Sequence, residues 1–158
     1  MKQANDTLVA RALLAEIQSA EPGAFGAPFT AERTYPTAQA LDAVEGFRLT
    51  VAATQLASDL ADRSGFQDSV GVEICVRCRI HSQPDQSLEY TAELDAARAF
   101  TAAVKDFLEA REHRRLLAMP TACLTADGVK NAPIYALDHL QDLHQYTSIL
   151  AMTYRVTA

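Results

Sequence analysis

None of the short patterns that mark a catalytic or nucleotide-binding centre is present in this sequence. There is no G-x-S-x-G elbow, no G-x-x-x-x-G-K-[ST] phosphate loop and no H-E-x-x-H pair. Glycine is scarce, at six residues. No apolar run approaches the ~18 residues of a spanning helix. The opening Met1-Lys2-Gln3-Ala4-Asn5-Asp6 lacks the apolar core of a signal peptide, so the chain is expected to stay in the cytoplasm where it is made. Positive charge is also short: the formal net charge is −6. That argues against wholesale wrapping of DNA or of an anionic membrane, while leaving room for a local basic patch.

Cysteine is limited to three residues, an odd number. Cys75 and Cys78 form a C-x-x-C, a spacing that suggests zinc or redox chemistry. Their surroundings argue for packing instead. From Val70 to Ile80 the chain reads V-G-V-E-I-C-V-R-C-R-I. Val70, Val72, Ile74, Val76, Cys78 and Ile80 alternate with Gly71, Glu73, Cys75, Arg77 and Arg79, the period of a half-buried strand. Residues three apart on a strand point to opposite faces. The two sulfurs therefore cannot share a metal or a bond, and both read as small hydrophobes on a sheet. Cys123 reads the same way. The apolar face of this strand is expected to hold the helix Leu94–Leu108 against the sheet.

What is present is ordinary globular material. Hydrophobic residues make up 49% and charged residues 22%. A chain of 158 residues is expected to form one domain, burying roughly two-thirds of its unfolded surface. A first helix is expected over about Thr7 to Ser19, capped by Asn5 or Asp6, with Val9, Leu13 and Ile17 on one stripe. Phe29 to Tyr35 reads as a short edge strand before Pro36. Leu41 to Glu45 reads as a helical turn, and Phe47, Leu49, Val51 and Ala53 as a second strand. Gln55 to Asp68 is read as a surface excursion, part helical because Leu56 and Leu60 are four apart, with Ser64-Gly65 as a turn.

The second helix has Leu94, Ala97, Phe100, Val104, Phe107 and Leu108 on one face. Acids Glu93 and Asp95 lie near its expected start, and Arg111, His113, Arg114 and Arg115 near its expected end, as the helix dipole favours. Leu116 to Thr125 reads as a strand, Asp127-Gly128 as a turn pair, and Ile134 to His144 as a short acidic amphipathic piece. Tyr146 to Val156 reads as a closing strand. The expected architecture is α+β: one mixed or antiparallel sheet of about five strands with two main helices on one face.

No catalytic, cofactor or metal site is expected. Asp138, His139, Asp142 and His144 cluster, but His139 and His144 stand about 140° apart around a helix, and the group reads as a solvated face. Asp59, Asp62 and Asp68 lack ordered ligand spacing. Arg111 to Arg115 reads as a helix-end charge cluster, with nucleic-acid contact as the other reading. Glu73, Arg77 and Arg79 put both signs of charge on one sheet face. That suits solvation, and it also suits a contact between subunits.

Four segments together carry a resemblance over nearly the whole chain. They are Phe29-Thr30-Ala31-Glu32-Arg33-Thr34-Tyr35 with the strand from Phe47, the alternating strand at Val70, and the helix ending Phe107-Leu108. The fourth runs from Pro133-Ile134-Tyr135 through Leu137-Asp138-His139-Leu140 to Tyr146-Thr147-Ser148-Ile149-Leu150 and Tyr154-Arg155-Val156. This pattern resembles the tail terminator, or tail completion, proteins of tailed bacteriophages and prophages. The segment Ala52 to Arg63 departs most from it. The resemblance implies a virion protein of the neck, built in the host cytoplasm and without catalysis. It would form a ring, typically a hexamer, that caps the tail tube and joins it to the head connector or head-closure protein. DNA would pass through without specific binding.

Such a ring needs a heterologous interface. The candidates for it are Glu73, Arg77 and Arg79, the cluster Arg111, Arg114 and Arg115 against the acidic Asp138 and Asp142, and the segment Gln55 to Asp68. The competing expectations are another neck or tail component such as a head-closure or tube protein, a small enzyme using the Asp138/His139/Asp142 turn, and a nucleic-acid-binding module using the arginines.

Overall fold

A computed structural model describes residues 1–35, 46–63 and 65–157. The expected helical turn at Leu41 to Glu45 lies outside them. The chain is α+β, with one mixed five-stranded sheet and three helices among the described residues. The elements run α1 (Asn5–Gln18), β1 (Phe29–Arg33), β2 (Phe47–Asp62), β3 (Gly65–Arg79), α2 (Ser87–Glu109), β4 (Ala122–Asn131), α3 (Leu137–Leu143) and β5 (Gln145–Val156). The strand order is β1-β2-β3-β5-β4. β1 pairs with β2 in parallel and every other pairing is antiparallel.

The alternation at Val70 to Ile80 forms the middle of this sheet. Val70, Val72, Ile74 and Val76 are buried, and opposite them on β5 stand Tyr154, Met152, Leu150 and Ser148, all buried too. On the other side Leu49 and Val51 of β2 face Val76 and Ile74. This apolar face carries the core, shared with Val9, Leu13 and Ile17 of α1 and Phe100, Val104 and Leu108 of α2. Five aromatic rings knit the layers. Phe47 of β2 stacks on Phe100 of α2 at 3.9 Å, and Phe25 meets Phe29, Phe100 and Phe107. By backbone proximity α1 runs nearest β2, β1 and β3, and α2 nearest β4 and β5. Side chains of both helices share one core with the apolar face of β3.

Four expectations are corrected. First, Gln55 to Asp68 is not a part-helical excursion. β2 continues through it to Asp62, and Leu56, Ala57, Ser58, Asp59 and Leu60 pair with Val70, Ser69, Asp68, Gln67 and Phe66. Second, α1 begins at Asn5, and neither Asn5 nor Asp6 caps it. Ala4 holds the cap position without a side-chain bond, while the Asn5 amide donates to the Asp68 carboxylate on β3.

Third, α2 starts at Ser87 and ends at Glu109. Glu93 is thus mid-helix, where it accepts from the backbone N–H groups of His81 and Ser82. The arginine cluster lies beyond the last helical turn, because Ala110 adopts an extended backbone. Fourth, β4 runs from Ala122 to Asn131 rather than Leu116 to Thr125. Asp127-Gly128 falls inside it, where the ladder jumps from Leu124 to Val129. Gly128, at φ +70°, bends there close against the Glu109 carboxylate.

Candidate functional site

Strand alternation gives the sheet a second face, turned away from α1 and α2. Across its middle stand Thr50, Cys75 and Ile149, flanked by Ala52, Glu73 and Ala151 and by Arg48, Arg77 and Thr147. The three charges proposed for this face differ in environment. Glu73 and Arg79 are exposed, whereas Arg77 retains only 5% of its accessible surface. Arg77 is therefore not the solvated cation expected of an outward strand position. Its cross-strand neighbour Thr147 is buried too and bonds His139 of α3, so this end of the face is covered. Arg48, on the far side of Arg77, forms an ion pair with Glu32 of β1.

Cys75 and Cys78 are free and stand on opposite faces, Cys75 beside Thr50 and Ile149, Cys78 beside Tyr146. Burial pushes the Cys75 thiol up and the Cys78 thiol up to about 12. Neither is then a thiolate near neutral pH, the form that attacks electrophiles or binds metal. Among the described residues no three His, Cys, Asp or Glu side chains gather as a metal would need.

The basic cluster is held by a residue that sequence reasoning left out. Glu16 of α1, 5% exposed, accepts from the Leu117 backbone N–H at 2.8 Å and bonds the His113 ring at 2.9 Å. His113 also stacks on Phe107 at 3.8 Å. The turn after α2 is thereby fixed to α1. Arg111, Arg114 and Arg115 are exposed on it, with Arg114 donating to the Glu109 carbonyl. Leu117 stands beside them, 82% exposed. Glu16 and His113 are 97 positions apart, and no local pattern links them.

The acidic turn lies elsewhere. Asp138 and Asp142 are exposed on α3, just before β5 starts. The basic turn sits by the other end of that strand, since Arg115 bridges Cys123, which pairs with Arg155. About ten strand residues, roughly 34 Å, separate the two groups. One copy does not bring these charges together. His139 bonds Thr147 at 2.8 Å and thus serves α3 packing.

Two shallow depressions, of about 470 and 260 Å³, lie by the β4 irregularity. Ser69, Cys123, Asp127 and Arg155 line the first, and Gln55, Glu73, Asp127 and Lys130 the second. Neither includes a residue of α3.

The feature that stands apart is the far half of the β2–β3 pair. β1 covers the outer edge of β2 only as far as Val51, and β5 covers β3 only from Asp68 onward. Beyond these points the two strands project as a two-stranded arm. Its helix-side face continues the core pattern with Leu56, Leu60 and Phe66, yet Leu60 and Phe66 are 68% and 69% exposed. Asp68 marks the base. Ser58 and Asn5 hydrogen-bond its carboxylate and hold its pKa below the ordinary value.

Comparison with models of known protein families and with curated proteins gives no match for this chain. No helix among the described residues is long and apolar enough to cross a membrane.

Proposed function

We propose that this chain is a structural subunit that assembles with copies of itself into a closed ring, and that the ring is the terminator of a phage tail. In this reading it caps the tail tube, joins it to the head connector or head-closure protein, and lets DNA pass. The observation that carries the proposal is the arm. A cross-strand Leu60–Phe66 pair stands in water on a two-stranded ribbon. An apolar pair so placed costs free energy until a partner covers it. Among the described residues no strand pairs with the outer edge of β2 beyond Val51, and a bare edge invites pairing.

The charge balance is compatible with the reading. A chain of formal charge −6 repels the phosphate backbone on average, which suits a channel that DNA crosses without sticking. The role requires no chemistry from the Asp138/His139/Asp142 turn, whose histidine is engaged in packing.

The direct test adds the purified chain to tail tubes that lack a terminator and images them. The reading expects a ring at one end of each tube, hexameric by native mass spectrometry. Protein that remains monomeric and leaves the tube ends bare would refute it. A ring bound to connectors but not to tubes would reassign the chain to head closure.

A further inference from the structure

We propose that the second face of the sheet carries a phosphate-binding site beside β4, built on Arg115 and Arg155 with the Ser69 hydroxyl. The inference goes beyond ring assembly and does not rest on it, since it concerns a bound oxyanion rather than a neighbouring copy.

Strand register brings the two arginines together. Arg115 bridges Cys123, Cys123 pairs with Arg155, and Arg155 pairs with Ser69. Directly opposed residues on neighbouring strands share a face. These four side chains therefore form one row, on the side away from buried Val70. Around the Arg115–Cys123 bridge, the Leu124 N–H donates to the Arg114 carbonyl and the Leu116 N–H to the Ala122 carbonyl. The bridge is thus a non-hydrogen-bonded pair, the kind that brings side chains closest. Successive spacings of about 4.5 and 5.5 Å put the two arginine Cα atoms about 10 Å apart. The short Cys123 side chain between them leaves room for two guanidinium groups to converge on one small anion.

The row lies in the larger of the two depressions. Ser69, Cys123 and Arg155 line it with Thr153 and Asp127, and Arg115 stands beside it. Two positive charges meet one carboxylate there, a balance that favours an anion. Both arginines are exposed, and among the described residues neither has a hydrogen bond or an ion pair. Arg48 and Arg98, by contrast, are committed, to Glu32 and to the Ile134 carbonyl and Tyr146 hydroxyl. Unpaired like charges side by side repel, and an anion between them relieves the repulsion. Guanidinium forks match the oxygens of a phosphate, and the Ser69 and Thr153 hydroxyls add donors. The backbone of Arg115 is also fixed in advance. Glu16 bonds the His113 ring on one side of it and the Leu117 N–H on the other, so binding has less chain to order.

An NMR titration of the full, isotope-labelled chain with inorganic phosphate, against chloride at equal ionic strength, tests the site. Saturable shifts are expected at the Ser69, Cys123, Thr153 and Arg155 amides, and chloride should not reproduce them. Arg115→Gln and Arg155→Gln should each weaken phosphate binding about fivefold or more, while Arg63→Gln, on the arm, should leave it unchanged. Both site positions are exposed, so the variants should keep the wild-type spectrum elsewhere. A parallel arm with a short DNA duplex identifies the source of the phosphate. Shifts at the same amides that Arg155→Gln abolishes would name the nucleic-acid backbone, and their absence beside a positive phosphate titration would name a free or small-molecule phosphate. Shifts that track ionic strength alone, that spread over the whole surface, or that survive both glutamine variants would overturn the site.

Discussion

The two halves of the β2–β3 pair have the same pattern and opposite fates. Near the base, Val51 faces Ile74 and Leu49 faces Val76, and all four are fully buried. Toward the tip, Leu60 faces Phe66 in the same ladder on the same side, and both are mostly in water. The strands do not differ in kind; their surroundings do. The base has α1 above it, β1 on one edge and β5 on the other, and each of these ends before the tip. Alternation therefore specifies which side of a strand is apolar. What covers that side is decided by elements far away in sequence, or by another molecule.

The largest way to break the contrast is to truncate the base. Ile74→Ala should lower stability by about 2–5 kcal/mol, the usual cost of a buried cavity, read as a fall in the urea midpoint. An effect below about 1 kcal/mol would mean the base is no better packed than the tip. Next in size is Glu16→Ala, which takes the acceptor from the Leu117 N–H and the partner from the His113 ring. A loss of about 1–3 kcal/mol is expected, with faster amide exchange confined to residues 111–117.

Acid titration should produce a smaller, local change at the base of the arm. Asp68 has its pKa lowered by Ser58 and Asn5, so it binds its proton less readily folded than unfolded. Its contribution is present above the unfolded pKa, near 4, and is lost as pH falls through the folded value. Asn5→Ala should raise the Asp68 titration midpoint toward the ordinary value in an NMR titration. An unchanged midpoint would show that Asn5 does not hold the arm.

Smallest of all is the expected effect of Leu60→Ser on the stability of a dilute, unassembled chain: within about 0.5 kcal/mol, as for other exposed positions. Its effect on self-association should be large. That split between stability and assembly is what separates tip from base.

The base was legible in the sequence because β-branched residues alternate without interruption from Val70 to Val76. The closing strand was legible for a similar reason: Leu150, Met152, Tyr154 and Val156 alternate and are all buried. The arm was misread because Leu56 and Leu60 are four apart, an interval that returns to the same face of a helix and of a strand. Of the residues between them, Ala57 favours helix and Ala57 and Asp59 are both poor strand formers. The expected turn falls at the end of the ladder, which closes with Asp62 opposite Gly65, the first residue of β3.

The candidate surfaces were legible as charges but not as environments. Alternation places Arg77 on the second face, but nothing local in the sequence marks it as buried. The basic cluster was attached to a helix that ends before it, because the bonds that hold the turn come from Glu16, a residue of the first helix.

The chain contains no tryptophan, so Phe66→Trp places a single fluorescent reporter at the tip of the arm. The account predicts the emission of a water-exposed indole when the protein is dilute, and a blue shift that rises in step with the sedimentation coefficient as copies associate. Assembly that proceeds while the indole stays in water would contradict the claim that the arm is the uncovered half of an interface.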